Sequence, residues 1–325
     1  MGETLSLPAG ARIGGSAGTA PRIALVTADL DRHARDLLKA FKAAGARVKA
    51  MELADISYDS AARHGLVLPH FGEDLPDAVC VRTMDGGSFE QVTRRLGTLH
   101  ALSRLGVLVS NDARAIENCV DKSMTSFLLA RAGLPSPRSW TVESRDAALA
   151  ILAGEAGPLV LKPLFGAQGK GLKLVHGPDD LPAEGAIAGV YYLQRFAGRQ
   201  DGGLFTDYRI LVSHGRVAAT MMRQAGQWIT NIKQGATALP MPADPELEAL
   251  ALAATRAVGG DFCGVDLLRD ATGAAQVIEV NSMPAWTGLQ KASGVDVPML
   301  RARDLLAQLA ARALPHGADA LARAV

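Results

Sequence analysis

The chain has 325 residues, 48% of them hydrophobic, and 34 basic side chains stand against 33 acidic ones for a formal net charge of +1. That length suits two or three structural units, and so even a charge balance excludes a nucleic-acid or anionic-membrane partner recruited by charge. Three widely spaced cysteines (Cys80, Cys119, Cys263) offer no zinc or redox spacing, which fits a reduced, cytoplasmic setting.

No apolar run approaches the roughly 18 residues of a membrane span. Residues 1–20, rich in Gly, Ala and Ser, lack the basic start and apolar block of a secretion signal and read as a flexible tail. Gly2 and Ser6 also fit the loose myristoylation pattern. "PRIALVTADL" (21–30) predicts a strand, and "DRHARDLLKAFKAAG" a helix ended at Gly45. A second strand follows, then "DAVCVRTM" (77–84) and "GVLVSN" (106–111), separated by the helical "SFEQVTRRLGTLHALSRL". Strands alternating with helices over 21–111 imply a parallel-sheet α/β domain. The block 111–133, through Lys122, reads as largely helical until Gly133 and two prolines stop it. Beyond Trp140 strands joined by short turns or single helices suggest antiparallel sheets, with an Ala/Leu-rich helix at 244–259 and a closing helix near 297–313.

Three constellations carry chemistry. In "GVDLLRDATGAAQVIEVN" a hairpin turning on Thr272-Gly273 sets Asp266 opposite Glu279, and strand alternation places Val277, Glu279 and Asn281 on one face, Ile278 and Val280 on the other. Like charges directly opposite repel, and a hard divalent cation with oxygen ligands would resolve the conflict; a solvent-facing polar edge is the plain alternative. "LVLKPLFGAQGKGLKLV" (159–175) holds Gly166, Gln168, Gly169, Lys170 and Gly171 between two strands, with Lys162 on the first. It lacks the Ser/Thr and helix of a P-loop, so it reads either as a glycine flap over phosphates or as an ordinary hairpin turn. "TDYRILV" puts Asp207 and Arg209 on one strand face and "MMRQ" adds Arg223 nearby: forks suited to phosphate or carboxylate, or a cross-strand ion pair at an edge, which would contribute little.

The ordered set of Lys122, "LKPLFGAQGKG", "YLQRF", "DYR", "GVDLL" and "VIEVNSMPAW" resembles the ATP-grasp enzymes, and among them the RimK-like ATP-dependent carboxylate–amine ligases, over residues 110–300. The resemblance implies an α/β domain (21–110) followed by an ATP-grasp fold of two α+β lobes (111–190 and 191–313) and a tail (314–325). It implies that Lys122, Lys162 and the loop 166–171 hold the ATP phosphates and that the backbone of Gln194, Arg195 and Phe196 holds the adenine. Asp266, Glu279 and Asn281 would bind two Mg²⁺ ions (Mn²⁺ the alternative). Asp207, Arg209 and Arg223 would sit at the transferring phosphate, the two arginines as catalytic groups. "QRF" departs from the family's Gln-Glu-aromatic hinge, so an acidic contact to the adenine amino group is not expected. "WITNIKQGA" (228–236) is less basic than in ligases that modify ribosomal protein.

The implied reaction passes the γ-phosphoryl of ATP to an acceptor carboxylate, and the amine of an amino acid, L-glutamate by analogy, displaces phosphate from the acyl phosphate. The wording leans to a one-carbon cofactor of the tetrahydromethanopterin or methanofuran type as acceptor, with a carrier protein of lysine biosynthesis or a ribosomal protein as alternatives, and to a homo-oligomer. His176 and His214 are candidate bases by residue type alone. A non-catalytic ATP-binding regulatory module is the rival of another class, and a dinucleotide dehydrogenase a weaker one, because "VTADLDRHA" lacks the glycine fingerprint.

Overall fold

A computed structural model of the protein describes residues 19–72, 74–166 and 169–313. The expected tails, the myristoylation pattern and Gln168 lie outside them, apart from the last two residues of the first tail.

The N-terminal unit is the expected parallel α/β layer. Strand β1 (Arg22–Val26) is followed by helix α1 (Arg32–Ala43), β2 (Arg47–Met51), a small antiparallel pair β3 (Ser57–Tyr58) and β4 (Leu66–Val67), then β5 (Ala78–Val81), α2 (Phe89–Arg104) and β6 (Leu108–Ser110). The four main strands run in the order β2-β1-β5-β6, all parallel. Sequence signals set the helix ends. Asp31 caps α1 by accepting from the Ala34 N–H, and Ser88 with Gln91 forms a reciprocal capping box on α2.

The block read as largely helical holds two helices. Helices α3 (Ala113–Val120) and α4 (Lys122–Arg131) break at Asp121, whose extended backbone ends one while its carboxylate accepts the Ser123 and Met124 N–H groups of the next. An N-cap inside an apolar-periodic stretch outcompeted helix continuation. The break makes Lys122 the first residue of α4.

The next sheet takes β7 (Ser139–Val142), β8 (Leu159–Lys162), β9 (Lys173–Val175) and β10 (Tyr191–Arg195), in the antiparallel order β7-β10-β8-β9, with α5 (Arg145–Ala153) packed against it. Strand β10 lies just beyond the expected lobe boundary at 190, yet all its main partners are in this sheet. The last sheet joins β11 (Gln200–Asp201), β12 (Leu204–Ser213), β13 (Arg216–Ala225), β14 (Thr237–Leu239), β15 (Phe262–Arg269) and β16 (Ala275–Asn281), in the order β14-β13-β12-β15-β16, with β11 on β12. Helix α6 (Pro245–Val258) buries Leu247, Ala251, Ala254 and Val258 against it. Helices α7 (Thr287–Ser293) and α8 (Val297–Ala313) finish the chain, and α8 returns to pack on α1 in a core shared with the N-terminal sheet.

Asn111, 1% exposed, ties these units together. Its Nδ2 donates to the carbonyls of Phe262 (2.8 Å) and Ser282 (2.6 Å), and its Oδ1 accepts from the N–H groups of Asp261 (2.7 Å) and Phe262 (2.9 Å). Each buried backbone group stripped of its partner costs about 1–3 kcal/mol. Asn111→Ala is therefore expected to lower unfolding free energy by at least about 3 kcal/mol in urea titrations; a loss under about 1 kcal/mol would show that the tie does not stabilise the fold.

Candidate active site

The β8–β9 hairpin and the end of β10 overhang the β13–β12–β15–β16 surface, and between them lies a cleft of about 1030 Å³ counted to its open mouth. Of the residues expected at a site, Lys122, Lys162, Gly166, Gly169, Lys170, Gln194, Arg195, Phe196, Asp207, Arg223, Asp266 and Glu279 line it; Gly171, Arg209 and Asn281 do not.

The floor is built from directly opposed charges. Sheet register sets Asp207 against Arg223, Arg209 against Asp266 and Asp266 against Glu279. Arg223 grips Asp207 with Nε and Nη2 at 2.6 and 2.5 Å, and Arg209 grips Asp266 at 2.6 Å twice; Arg223 also reaches Asp266 at 3.2 Å. The reading of a weak ion pair at a sheet edge is corrected. Strand β12 is interior, and the four side chains are 4–13% exposed, so these are buried, bidentate pairs. Burial alone would raise the Asp266 carboxyl, but Arg209 and then Arg223 hold it down to about 2. Burial would likewise lower Arg223, and the two carboxylates outweigh it.

The expected opposition of Asp266 and Glu279 is present, but the assignment of faces on β16 is corrected. The register slips between Asp266 and Leu267, so that Glu279 pairs with Asp266 while Val277 pairs with Leu267 and Ile278 is left over. This β-bulge breaks strict alternation. Val277 and Val280 go to the core, whereas Ile278 and Glu279 both face the cleft. Glu279 makes no hydrogen bond or ion pair among the described residues. Asn281 stands opposite Gly264 and only approaches its carbonyl, at 3.5 Å. Two carboxylates and an amide oxygen on adjacent strands suit a hard cation that takes one or two protein carboxylates and completes its shell from phosphate and water. They form no all-protein metal cage, and among the described residues no cluster of three or more His, Cys, Asp or Glu occurs.

Two lysines face this floor. Lys122 is 9% exposed, and its Nζ donates to the carbonyls of Leu164 (3.2 Å) and Gly166 (3.1 Å), at the base of the glycine hairpin. Lys162, at the end of β8, is 8% exposed and has no hydrogen bond or ion pair among the described residues. Burial lowers both ammonium groups. Lys162 falls from 10.5 to about 8, Lys122 pushing the same way and Glu279 and Asp266 pulling it back up. Two buried cations, Lys122 held only by neutral carbonyls and Lys162 without a partner among the described residues, over an unpartnered carboxylate fit a polyphosphate with its metal.

The glycine segment is a hairpin loop between antiparallel strands, not a helix-capping P-loop. Gly169 and Gly171 sit at φ +69° and +73°, where a side chain is strained. A Cβ at Gly169 would also come 2.7 Å from Gln234 Nε2, which donates to the Gly169 carbonyl at 2.9 Å. The hinge needs correction in detail. The Arg195 and Phe196 N–H groups are used by the carbonyls of Arg138 and Pro158, and the Arg195 side chain pairs with Glu155 at 2.5 and 3.0 Å. The next backbone donor, Ala197, has no partner among the described residues and lines the cleft. Phe196, Phe205 and Trp228 meet edge to face, with centroids 5.9–6.3 Å apart, and form an aromatic wall that single motifs did not signal. His176 and His214 line no part of the cleft; His214 bonds Gln308 at 2.9 Å on α8.

The chain matches the RimK-like ATP-grasp domain over residues 119–304. It is 31% identical over 309 residues to the tetrahydromethanopterin:alpha-L-glutamate ligase of Methanosarcina acetivorans, covering 83% of this chain and 94% of that one. It is 35% identical over 227 residues to the Methanococcus maripaludis protein of the same name, covering 68% and 76%. The ATP-grasp ligase PsnB, solved with a precursor variant, Mg and ADP, superposes with a TM-score of 0.69 at 21% identity over 88% of this chain and 98% of that one, which is a likeness of fold.

An unfolded lysine titrates near 10.5 and folded Lys162 near 8. Between those values the unfolded chain holds the extra proton, so Lys162 makes stability rise with pH across that window. Relative to Lys162→Met, the ligand-free wild type should gain up to roughly 3 kcal/mol between pH about 7.5 and about 10 in urea titrations. Parallel pH profiles would mean that Lys162 is solvated.

Proposed function

The chain belongs to the RimK-like ATP-grasp family, and from that premise we propose that it joins L-glutamate to an acceptor carboxylate through an acyl phosphate, releasing ADP and phosphate. The observation that carries this reading is Lys162, a buried cation without a partner above an unpartnered carboxylate, which calls for a phosphate with its metal.

In this reading Lys122 and Lys162 hold the phosphate tail, and Gly166, Gln168, Gly169, Lys170 and Gly171 cover it with backbone N–H groups. Gln194 to Phe196 bound the adenine, and the Ala197 N–H supplies the donor that Arg195 and Phe196 have already used. Mg²⁺ on Asp266, Glu279 and Asn281, two ions with Mn²⁺ as the alternative, would neutralise phosphate charge. Arg223, held by Asp207, presents fixed positive charge to the transferring phosphoryl group. Arg209, held by Asp266, sits just outside the cleft lining and serves the acyl group from there. These side chains position and neutralise without reorganising, which is how such sites lower a barrier.

For the acceptor we take a one-carbon cofactor of the tetrahydromethanopterin type. Two similar proteins carry that substrate in their names. A methanofuran-type carrier, a carrier protein of lysine biosynthesis and a ribosomal protein are the other acceptors to try, and a homo-oligomer is the assembly we expect. A regulatory ATP-binding module would have no use for an unpartnered Glu279 beside Asp266.

Incubation with ATP, Mg²⁺, glutamate and each acceptor should give acceptor-dependent ADP release and a glutamyl mass addition. Glu279→Gln should lower turnover at least about a hundredfold and still unfold in one cooperative thermal transition, since among the described residues the carboxylate makes no hydrogen bond or ion pair. ATP binding without acceptor-dependent turnover would favour the regulatory module, and near-normal activity of the variant would sink the metal assignment.

A further inference from the structure

His33, in the first turn of α1, reaches the chain beyond β16, and its side chain is 15% exposed. Its Nε2 stands 3.4 Å from the Trp286 backbone nitrogen and 3.0 Å from the Thr287 hydroxyl, and its Nδ1 stands 3.3 Å from the Asp31 carboxylate. The same carboxylate caps α1 through the Ala34 N–H at 2.7 Å and accepts from Arg82 Nη2 at 3.1 Å. The buried Trp286 ring touches both cationic side chains of this group: it meets the imidazole edge to face at 4.6 Å, and the Arg82 guanidinium lies 5.1 Å from its centroid.

These partners fix the proton on the ring. A carboxylate only accepts and a backbone N–H only donates, so Nδ1 carries the hydrogen and Nε2 offers its lone pair to Trp286 and Thr287. A second proton, on Nε2, would set two donors face to face at Trp286 and place another cation beside Arg82. Burial first and then Arg82 oppose that proton; Asp31 and Asp36 favour it, and the balance leaves the imidazole below its ordinary value of 6.5.

What His33 holds leads to the cleft. Trp286 and Thr287 begin α7, which has no side-chain cap of its own. At Gly288 the helix packs so closely on Met221 of β13, Ala238 of β14 and Ile232 that an added Cβ would lie 3.4–3.6 Å from them. Ile232 follows Asn231 in the segment that walls the cleft, and Met221 stands two residues before Arg223.

We infer that His33 is a positioning residue, a latch that in its neutral form ties α7, and with it the 228–232 wall of the cleft, to the N-terminal layer, and that a proton opens. The latch stands on these contacts alone; only its effect on turnover rests on the proposed reaction.

The test reads the imidazole and α7 separately. Long-range nitrogen–proton spectra of the full chain should show the Nδ1–H tautomer and a titration midpoint below 6.5. Amide exchange over residues 286–293 is then measured on either side of that midpoint, each time as a ratio to His33→Gln, whose amide oxygen accepts without titrating. The ratio should stay near unity above the midpoint and rise at least about threefold below it. The sign follows from linkage: between the folded midpoint and 6.5 the unfolded chain holds the extra proton, so stability falls as pH drops through that window. An Nε2–H tautomer, or a ratio that does not change across the midpoint, would overturn the latch. In the ligase assay His33→Leu should raise KM for the acceptor more than it lowers kcat, with His33→Gln restoring both; an unchanged KM in the leucine variant would overturn the positioning role. If the leucine variant fails to fold, the spectra and exchange ratios still decide. A wild type that turns over no acceptor yet shows the tautomer and the exchange change would sink the proposed reaction and leave the latch standing.

Discussion

Charge taken out of water has to be matched inside the protein or by something bound to it, and the cleft follows from how far that matching goes. Asp207 with Arg223 and Asp266 with Arg209 are closed pairs, each bidentate and each formed by residues directly opposite on adjacent strands. Their geometry is set by the sheet, so the positive charges keep their places whether or not a ligand is present. Lys162 and Glu279 differ. They face the same cleft, and among the described residues neither has a hydrogen bond or ion pair, Glu279 acting on Lys162 only at a distance. Under the proposed function the unmatched part of the set meets the ligand, phosphate oxygen at the lysine and a metal at the carboxylate.

Part of this was legible in the sequence. That Asp266 and Glu279 lie on the two arms of one hairpin follows from a turn whose chemistry is local, with Asp270 accepting from the N–H groups of Thr272 and Ala274. The register at the turn, Arg269 with Ala275 and Leu267 with Val277, would set Asp266 opposite Ile278, and the bulge supplies the one-residue shift that brings Glu279 there. The faces of β16 were not legible, because one unpaired residue, Ile278, reverses the alternation beyond it and no residue type marks a bulge of this kind. The interior position of β12 was hidden for another reason. Its second neighbour, β15, lies some fifty residues further on, and strand order depends on packing that no local pattern records. At Lys122 the signal was present but ambiguous: Asp121 is a good N-cap, yet it stands in a stretch whose apolar spacing reads as one helix. The hinge illustrates a third kind of limit. "QRF" locates it, but which backbone N–H remains available depends on Arg138 and Pro158, both distant in the chain.

The N-terminal layer and the ATP-grasp lobes are not separable modules joined by a linker. Asn111 at the end of the parallel sheet satisfies backbone groups at the start of β15 and just after β16, the two strands that carry Asp266 and Glu279. Helix α8 then crosses back to α1, and its Arg301 bonds Ser110, the residue before Asn111. The two acidic strands are thus clamped at the same end by Asn111, itself held in place through Ser110 by Arg301 near the other end of the chain. A displacement of the N-terminal sheet would shift the carboxylates directly.

The flap is tied to the opposite side of the cleft in the same manner. The segment after β13 presents Trp228, Ile229, Thr230 and Asn231 to the cleft, and three residues on, Gln234 bonds the Gly169 carbonyl. Only a residue without a side chain fits at Gly169, since a Cβ there would meet Gln234 and Ile229 and the backbone is left-handed. The glycine loop and the segment that walls the rest of the cleft therefore move as one unit or lose this contact. Whatever lies against Trp228 meets a surface whose position the glycine loop helps to set, so closure over one end of the cleft shapes the other.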